Sequence, residues 1–204
     1  MHSLDFVDQL RSKPLPGIAC QICMAPPERQ ATLTSIPTPN QARKKAAILV
    51  LLFQKEGQWR TVMILRSQNE GVHAGQMAFP GGGLEPHDAH WQAAALREAQ
   101  EEIGLPPEWV QVIRSLTPLF IPPSGYFVQP VLGLITRLPL WIPDPKEVEE
   151  IVEFALEDLQ RAEWDHPTAG RVPVFSIQGH KIWGASAMVL AEVISLMDFR
   201  TFEP

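Results

Sequence analysis

The feature that most constrains the fold is one helix with clear signals at both ends, set between segments that read as strands. Asp88 is a good N-cap residue, and Gly104, followed by Pro106 and Pro107, is typical of a helix C-terminus. We therefore expect a helix between Asp88 and Gly104, with strands before and after it. Strands interrupted by helices on both sides indicate a mixed β-sheet covered by helices, an α/β architecture.

This helix carries three glutamates on one face. Glu98 lies three and four residues before Glu101 and Glu102, so the carboxylates are neighbours on the helix surface. Each like-charge pair costs about 0.2–0.5 kcal/mol, so we expect a cation beside them. A solvated acidic face is the alternative interpretation. The apolar side, which we expect to pack on the sheet, is formed by Leu96, Ala99 and Ile103.

The loop before the helix favours the cation. Residues 79–86 read Phe-Pro-Gly-Gly-Gly-Leu-Glu-Pro, a turn-rich segment whose glycines let the backbone approach a ligand closely. A loop carbonyl, such as that of Gly82, can then join the carboxylates. Oxygen-only ligands suit Mg²⁺ or Mn²⁺, and bound Mg²⁺ usually shares its coordination sphere with substrate phosphates. Together these features indicate phosphate chemistry.

Residues 82–105 resemble the signature of the Nudix hydrolase family, Gly-x5-Glu-x7-Arg-Glu-U-x-Glu-Glu-x-Gly-U, where U is a bulky aliphatic residue. The matching residues include Arg97-Glu98, Glu101-Glu102 and Gly104-Leu105. Counted from Gly82, Asp88 stands where the signature has Glu, and eight residues instead of seven separate it from Arg97. Ala99 occupies a U position.

Segments outside the signature resemble one branch of this family, the coenzyme A diphosphatases. Leu65-Arg66-Ser67 and residues 73–82 are similar to that branch's second motif, roughly R-S-x-x-L-R-x-H-x-G-Q-x-x-F-P-G-G. Residues 124–131 and 182–187 also resemble parts of the branch. Glu70-Gly71 stands where the branch has Leu-Arg, so one basic residue that could contact a substrate phosphate is missing.

The resemblance implies a Nudix-like α/β/α sandwich with a mixed β-sheet and a divalent metal, Mg²⁺ or Mn²⁺, as cofactor. Glu98, Glu101 and Glu102 would bind the metal together with Gly82. The metal would neutralise charge on the phosphate oxygens and lower the pKa of a bound water. Either Glu98 or Glu101 would be the general base, and Arg97 would orient a glutamate through a charge-assisted hydrogen bond.

Four residues outside the helix are candidates for substrate binding. Arg66 and His73 could contact a substrate phosphate, while Ser124 and Tyr126 could line the pocket for the non-nucleotide part. The structural alternatives are an ion pair for Arg66, a hydrogen-bonded structural role for His73, and loop packing for the other two. A second acidic cluster, expected to be solvated unless one carboxylate completes the metal site, consists of Glu147, Glu149 and Glu150.

For the substrate, the resemblance implies coenzyme A or an acyl-CoA, cleaved at the diphosphate to 3′,5′-ADP and 4′-phosphopantetheine or its acyl form. The same machinery could accept ADP-ribose, NADH or a dinucleoside polyphosphate instead. A Nudix-like module that binds a nucleotide without turnover is a third alternative. The intact glutamates at 98, 101 and 102 argue against it.

Composition limits the class of protein. With 204 residues, 45% of them hydrophobic, the chain can bury one substantial core. A net charge of −6 argues against nucleic-acid binding, because phosphate-backbone affinity depends on Lys and Arg. The one dense basic cluster, Arg43-Lys44-Lys45, is expected to be a solvated edge before a strand. Neither a membrane span nor a signal peptide is evident, which predicts a cytoplasmic protein.

The first 40 residues are expected to form a helix and a Pro-rich arm, followed by the hydrolase domain over residues 41–204. Residues 1–12 have helical spacing of apolar residues, and six prolines interrupt residues 13–40. We expect the arm either to wrap the core or to contact a second copy of the chain in a homodimer. Cys20 and Cys23 are expected to be reduced and without a special role.

The remaining chain is expected to form strands, a short helix over residues 156–161, and a final helix from about residue 185 to 200. The predicted strands cover residues 46–53, 59–65, 110–120, 126–135, 147–154, 172–177 and 180–183.

Overall fold

The computed structural model describes residues 3–68, 73–122, 124–135 and 137–199. The helices are α1 (Ser3–Ser12), α2 (Ile18–Gln21), α3 (Pro27–Gln30), α4 (Trp91–Ile103) and α5 (Gly184–Leu196). The strands are β1 (Lys44–Lys55), β2 (Gln58–Arg66), β3 (Met77–Ala78), β4 (Gly81–Gly83), β5 (Val110–Ser115), β6 (Leu119–Ile121), β7 (Tyr126–Ile135), β8 (Val148–Ala155), β9 (Gln160–His166), β10 (Gly170–Ile177) and β11 (His180–Trp183).

In these residues the strands form a mixed eight-stranded sheet and a separate three-stranded sheet. The large sheet has the order β3-β2-β1-β7-β5, with β4 paired to β1, β6 to β7 and β8 to β2. Strands β1 and β7 run parallel, from Lys44 opposite Tyr126 to Leu52 opposite Leu134. The other pairings in this sheet are antiparallel.

Each face of the large sheet is covered by a helix, as expected for an α/β/α sandwich. Alternate residues of β1 face opposite sides, because successive side chains of a strand point to opposite faces. Ala47, Leu49 and Leu51 join the apolar side of α4 in one core cluster. Val50 and Leu52 join a second, larger cluster that includes most of α5.

The proline-rich arm wraps the core, one of the two alternatives predicted for it. Met24 and Ala25 are fully buried in the same cluster as α5. The segment contains the short helices α2 and α3, so it is less irregular than the prolines predicted. Cys20 and Cys23 are buried free thiols. The boundary at residue 40 stays a prediction.

The predicted strand over residues 110–120 is wrong, because two strands, β5 and β6, occupy this range. Between them the Thr117 N–H leaves the sheet and donates to the Glu192 carboxylate at 3.3 Å. Pro118 follows and has no N–H to offer a neighbouring strand. The break therefore has a local cause in a buried side chain and a proline.

The predicted helix over residues 156–161 is also wrong. A single 3₁₀ turn spans Leu156–Asp158, Leu159 is extended and buried, and β9 begins at Gln160. Strand β9 pairs with β10 from Gly170 opposite His166 to Ser176 opposite Gln160. In the described parts of the chain, no helix is long and apolar enough to span a membrane.

Candidate active site

Helix α4 holds the three glutamates and is fixed at both ends. His90 is the N-cap, and its ring nitrogen Nδ1 accepts a hydrogen bond from the Ala93 N–H at 3.1 Å. Gly104 ends the helix in the left-handed region with φ of 68°, a conformation that favours glycine. The predicted C-terminus is confirmed, but the prediction of Asp88 as N-cap is wrong, because Arg97 binds its carboxylate.

Arg97 connects the helix to the segment before it. Its guanidinium donates to Asp88 Oδ2 at 3.1 Å and to the Gly83 carbonyl at 3.0 Å. On the helix itself, Arg97 Nη1 lies 2.8 Å from Glu101 and 3.0 Å from Glu98. The hydrogen bond between Arg97 and Asp88 raises the pKa of the guanidinium and lowers the pKa of the carboxyl.

The three glutamates differ strongly in exposure. The side chain of Glu101 is 56% exposed, that of Glu98 is 13% exposed, and that of Glu102 is 2% exposed. The sequence places all three on one face, but the sheet approaches this face so closely at residue 102 that its carboxylate is buried. Glu102 thus lies in the protein interior, Glu98 is half-buried, and Glu101 borders solvent.

Burial governs the electrostatics of Glu98 and Glu102. Burial raises the pKa of Glu102 to about 8, although the Gly81 N–H donates to its carboxylate at 2.8 Å and Arg66 lies 3.7 Å away. Burial also raises the pKa of Glu98, against the influence of Arg97. Two partly desolvated carboxylates with too little positive charge nearby form a place where a cation would be stabilised.

Strand β4 brings the backbone against Glu98. Residues 81–83 were predicted as part of a loop, but they pair antiparallel with β1, from Gly81 opposite Ile48 to Gly83 opposite Ala46. A Cβ added at Gly82 would lie 2.6 Å from the Glu98 carboxylate. Only glycine leaves room for that carboxylate beside the strand.

Glu147 is more buried than the other two glutamates of the second acidic cluster. It is half-buried, and its charge contributes to the raised pKa of both Glu98 and Glu102. Its carbonyl accepts a hydrogen bond from the Ser67 N–H at 2.8 Å. Glu149 and Glu150 are exposed, as predicted for a solvated cluster.

Of the four residues predicted to bind substrate, His73 and Ser124 form their hydrogen bonds away from the glutamates of α4. His73 is exposed, and its Nδ1 lies 3.2 Å from Gln76 Oε1. Ser124 donates to the Ile121 carbonyl within its own turn. Tyr126 begins β7, beside the first residues of β1. Of the four candidates, Arg66 contacts a glutamate of α4, while Glu70-Gly71 lies outside the described residues.

Two contributors to the site were not identified as such from the sequence. Asp88 holds Arg97 in place, and the Gly81 N–H binds Glu102. For Asp88 there was a signal, because it occupies the acidic position of the signature with one extra residue before Arg97. For the Gly81 N–H there was none, because the sequence does not show which strand pairs with β1.

A family model described as the NUDIX domain matches residues 43–173. The chain belongs to the Nudix hydrolase family. It is 35% identical over 162 residues to an uncharacterized Nudix hydrolase, NudL, of Enterobacter sp. (strain 638), covering 74% of this chain and 81% of that protein. It is 34% identical over 166 residues to the protein of the same description from Pectobacterium atrosepticum, covering 76% and 83%.

Solved structures confirm the Nudix fold. The Nudix hydrolase RenU of M. smegmatis gives a TM-score of 0.57 at 16% identity, covering 79% of this chain and 90% of that one. A MutT/nudix family protein of Enterococcus faecalis gives a TM-score of 0.54 at 16% identity, covering 97% and 75%. As a Nudix hydrolase, the chain is a pyrophosphohydrolase acting on a nucleoside diphosphate derivative.

Proposed function

We propose that this Nudix hydrolase cleaves the diphosphate linkage of coenzyme A or acyl-CoA. Water attacks one phosphorus, the P–O–P bond breaks, and the products are 3′,5′-ADP and 4′-phosphopantetheine or its acyl form. The observation that carries the reaction is a pair of carboxylates packed against the backbone of β4, the buried Glu102 and the half-buried Glu98. The substrate rests on the segments around Arg66, His73 and Tyr126 that resemble coenzyme A diphosphatases.

The donor set fits a hard divalent cation, Mg²⁺ or Mn²⁺. Glu98 and Glu102 are carboxylates whose raised pKa reflects burial without enough positive charge, and Glu147 adds a third negative charge nearby. Among the residues described, no group of three or more His, Cys, Asp or Glu side chains is placed to hold a metal ion, so the proposed site has two carboxylates, with backbone and water oxygens as the further ligands. Mg²⁺ usually keeps several waters and shares substrate phosphates, and it is commonly bound through one or two carboxylates. When bound, the metal would supply charge neutralisation and an acidified water.

The residues of the proposed site would have three roles: binding the cation, positioning the glutamates and accepting a proton. Glu98 and Glu102 would hold the cation, with Glu101 and the backbone of Gly82 at its edge. Arg97, held by Asp88, fixes Glu98 and Glu101 in position through ion pairs at 3.0 and 2.8 Å. Either of these two glutamates would take the proton of the attacking water as general base.

The test is a substrate panel with Mg²⁺ and with Mn²⁺, containing CoA, acyl-CoAs, ADP-ribose, NADH and diadenosine polyphosphates. The proteins compared are the wild type, Glu98→Gln, Glu101→Gln and Glu102→Gln, with Glu108→Gln as an exposed control on the turn after α4. We expect CoA or an acyl-CoA to have the highest kcat/KM, and we expect Glu98→Gln and Glu102→Gln to be inactive.

Two other results would exclude CoA as the substrate or hydrolysis as the activity. A strong preference for ADP-ribose or another derivative would exclude CoA while leaving diphosphate hydrolysis intact. Binding of nucleotides without metal-dependent turnover of any compound would support a nucleotide-binding module instead.

A further inference from the structure

A basic cleft lies beside the active site. It has a volume of about 370 Å³ and is lined by Arg43, Lys44, Lys45, Gly83, Leu84 and Tyr126. The three basic side chains are exposed, as predicted for a solvated edge, but they line a concave surface. Its lining therefore combines positive charge with an aromatic ring.

Backbone hydrogen bonds hold this cleft in shape. The Lys44 N–H donates to the Gly125 carbonyl at 3.3 Å, and the Leu84 N–H donates to the Lys45 carbonyl at 3.0 Å. Lys44 Nζ lies 5.2 Å from the centre of the Tyr126 ring, within the range of a cation–π contact. The ammonium group is thus placed beside the Tyr126 ring.

The cleft is continuous with the active site through β4. Gly82 lies against Glu98, and the next residue, Gly83, lines the cleft. The Gly83 carbonyl accepts a hydrogen bond from Arg97 at 3.0 Å. A ligand whose diphosphate lies at the carboxylate face would reach the basic cleft past Gly83, at the end of the sheet.

The distance along β1 between the residue opposite Gly82 and the two lysines indicates which part of a substrate reaches these cations. Ala47 lies opposite Gly82, and Lys44 and Lys45 precede it by two to three residues of β1, which corresponds to roughly 7–10 Å along the strand. This backbone separation is larger than the distance between the two phosphorus atoms of a diphosphate. A phosphate on the far side of an attached ribose spans this gap.

The charge of the cleft favours an anion. In the residues that the structure describes, no carboxylate forms an ion pair with Arg43, Lys44 or Lys45. The chain as a whole carries a net charge of −6, and the neighbouring helix face is acidic. Three consecutive cations, unpaired with any carboxylate in the part of the chain that the structure describes and at the edge of an acidic site, attract the most highly charged end of a substrate.

We infer that the cleft binds the 3′-phosphate of an adenosine 3′,5′-bisphosphate moiety and selects substrates that carry this group. Arg43, Lys44 and Lys45 supply positive charge for the phosphate at the start of β1, and the Tyr126 ring, which pairs in register with Lys44, packs on the nucleoside. The inference rests on the proposed function and deepens it, because CoA carries this 3′-phosphate while ADP-ribose and NADH do not.

The test compares CoA with 3′-dephospho-CoA, which differs only in that phosphate. We expect the wild type to prefer CoA by about tenfold or more in kcat/KM, the value of one charge-assisted contact. Arg43→Gln, Lys44→Gln and Lys45→Gln should each reduce this preference by about 3- to 10-fold. Lys55→Gln, an exposed change of the same charge at the other end of β1, should leave the preference unchanged.

A binding experiment separates this inference from the proposed function. Isothermal titration calorimetry with 3′,5′-ADP and with 5′-AMP should show the same preference and the same losses in the three variants, whether or not CoA is hydrolysed. Equal kcat/KM for CoA and 3′-dephospho-CoA would overturn the cleft assignment while leaving the hydrolase proposal standing. Absence of CoA turnover together with preferred binding of 3′,5′-ADP would overturn only the proposed function.

Discussion

Glu102 is the most unusual side chain of the proposed active site, because a carboxylate that is 2% exposed has almost lost its hydration. Its compensation consists of the Gly81 N–H at 2.8 Å and the more distant Arg66. This is too little to keep the pKa of the carboxyl at its ordinary value, and burial raises it to about 8. A bound cation is the physical means of stabilising the ionised form here.

Arg97 depends on Asp88 for its position, and this dependence can be tested. We expect Asp88→Ala to lower the free energy of unfolding by about 1–3 kcal/mol, because a hydrogen-bonded guanidinium loses its strongest partner. The kcat should fall as well, since Arg97 would then be free to shift between Glu98 and Glu101. The measurements are urea unfolding and turnover of the preferred substrate.

Asp165→Ala is the control for Asp88→Ala, because Asp165 is an exposed aspartate on β9. Equal stability and turnover in the two variants would show that Asp88 does not position Arg97.

Among the elements, β4 and α4 define the site together, because only a glycine fits between the strand and Glu98. We expect Gly82→Ala to reduce kcat by about 10- to 100-fold relative to Gly83→Ala, because the added methyl group displaces the Glu98 carboxylate. An alanine Cβ would lie 2.6 Å from that carboxylate at Gly82, whereas at Gly83 it would meet nothing within 4 Å. Steady-state kinetics of the two variants under the same conditions measures this difference in kcat. Equal kcat values would contradict the close packing of Glu98.

The helices and strands differ in how well the sequence predicts them. Helix α4, the β1–β2 hairpin and β7 were predicted because each has strong periodicity and clear end signals. Strand β9 was missed because most of its side chains are exposed and several are charged, so its sequence lacks the apolar alternation of a strand. Asp88 was misassigned because a carboxylate before a helix is a cap on local grounds, and only the fold brings Arg97 to it.

At the scale of the whole molecule, hydrogen bonds to Glu192 connect the N-terminal arm with the segment between β5 and β6. This fully buried carboxylate of α5 accepts hydrogen bonds from Thr117 Oγ1 at 2.6 Å and from Gln21 Nε2 at 3.1 Å. Burial nevertheless raises its pKa. The arm, the β5–β6 connection and the last helix therefore meet at one ionisable group.

This arrangement predicts a pH dependence of stability. Because the pKa of Glu192 is higher in the folded than in the unfolded state, the folded state binds more protons, and stability falls as pH rises above about 4.5 toward the raised value. Glu192→Gln removes this titration. We expect the free energy of unfolding of Glu192→Gln, relative to the wild type, to increase across that window.

Chemical denaturation of both proteins in steps between pH 4 and pH 8 measures this difference. The comparison cancels contributions from the other carboxylates. A difference that stays constant with pH would show that the folded environment leaves the titration of Glu192 unchanged.

The most direct test of the active site combines metal binding and turnover in the same protein samples. Mn²⁺ binding would be followed by electron paramagnetic resonance, and hydrolysis of CoA by product analysis, for the wild type, Glu98→Gln, Glu102→Gln and the control Glu108→Gln. We expect Glu98→Gln and Glu102→Gln to lose at least about 100-fold in both Mn²⁺ affinity and kcat/KM, while the control retains both. Undiminished Mn²⁺ binding and turnover in Glu98→Gln and Glu102→Gln would contradict the assignment of these two carboxylates as the metal site.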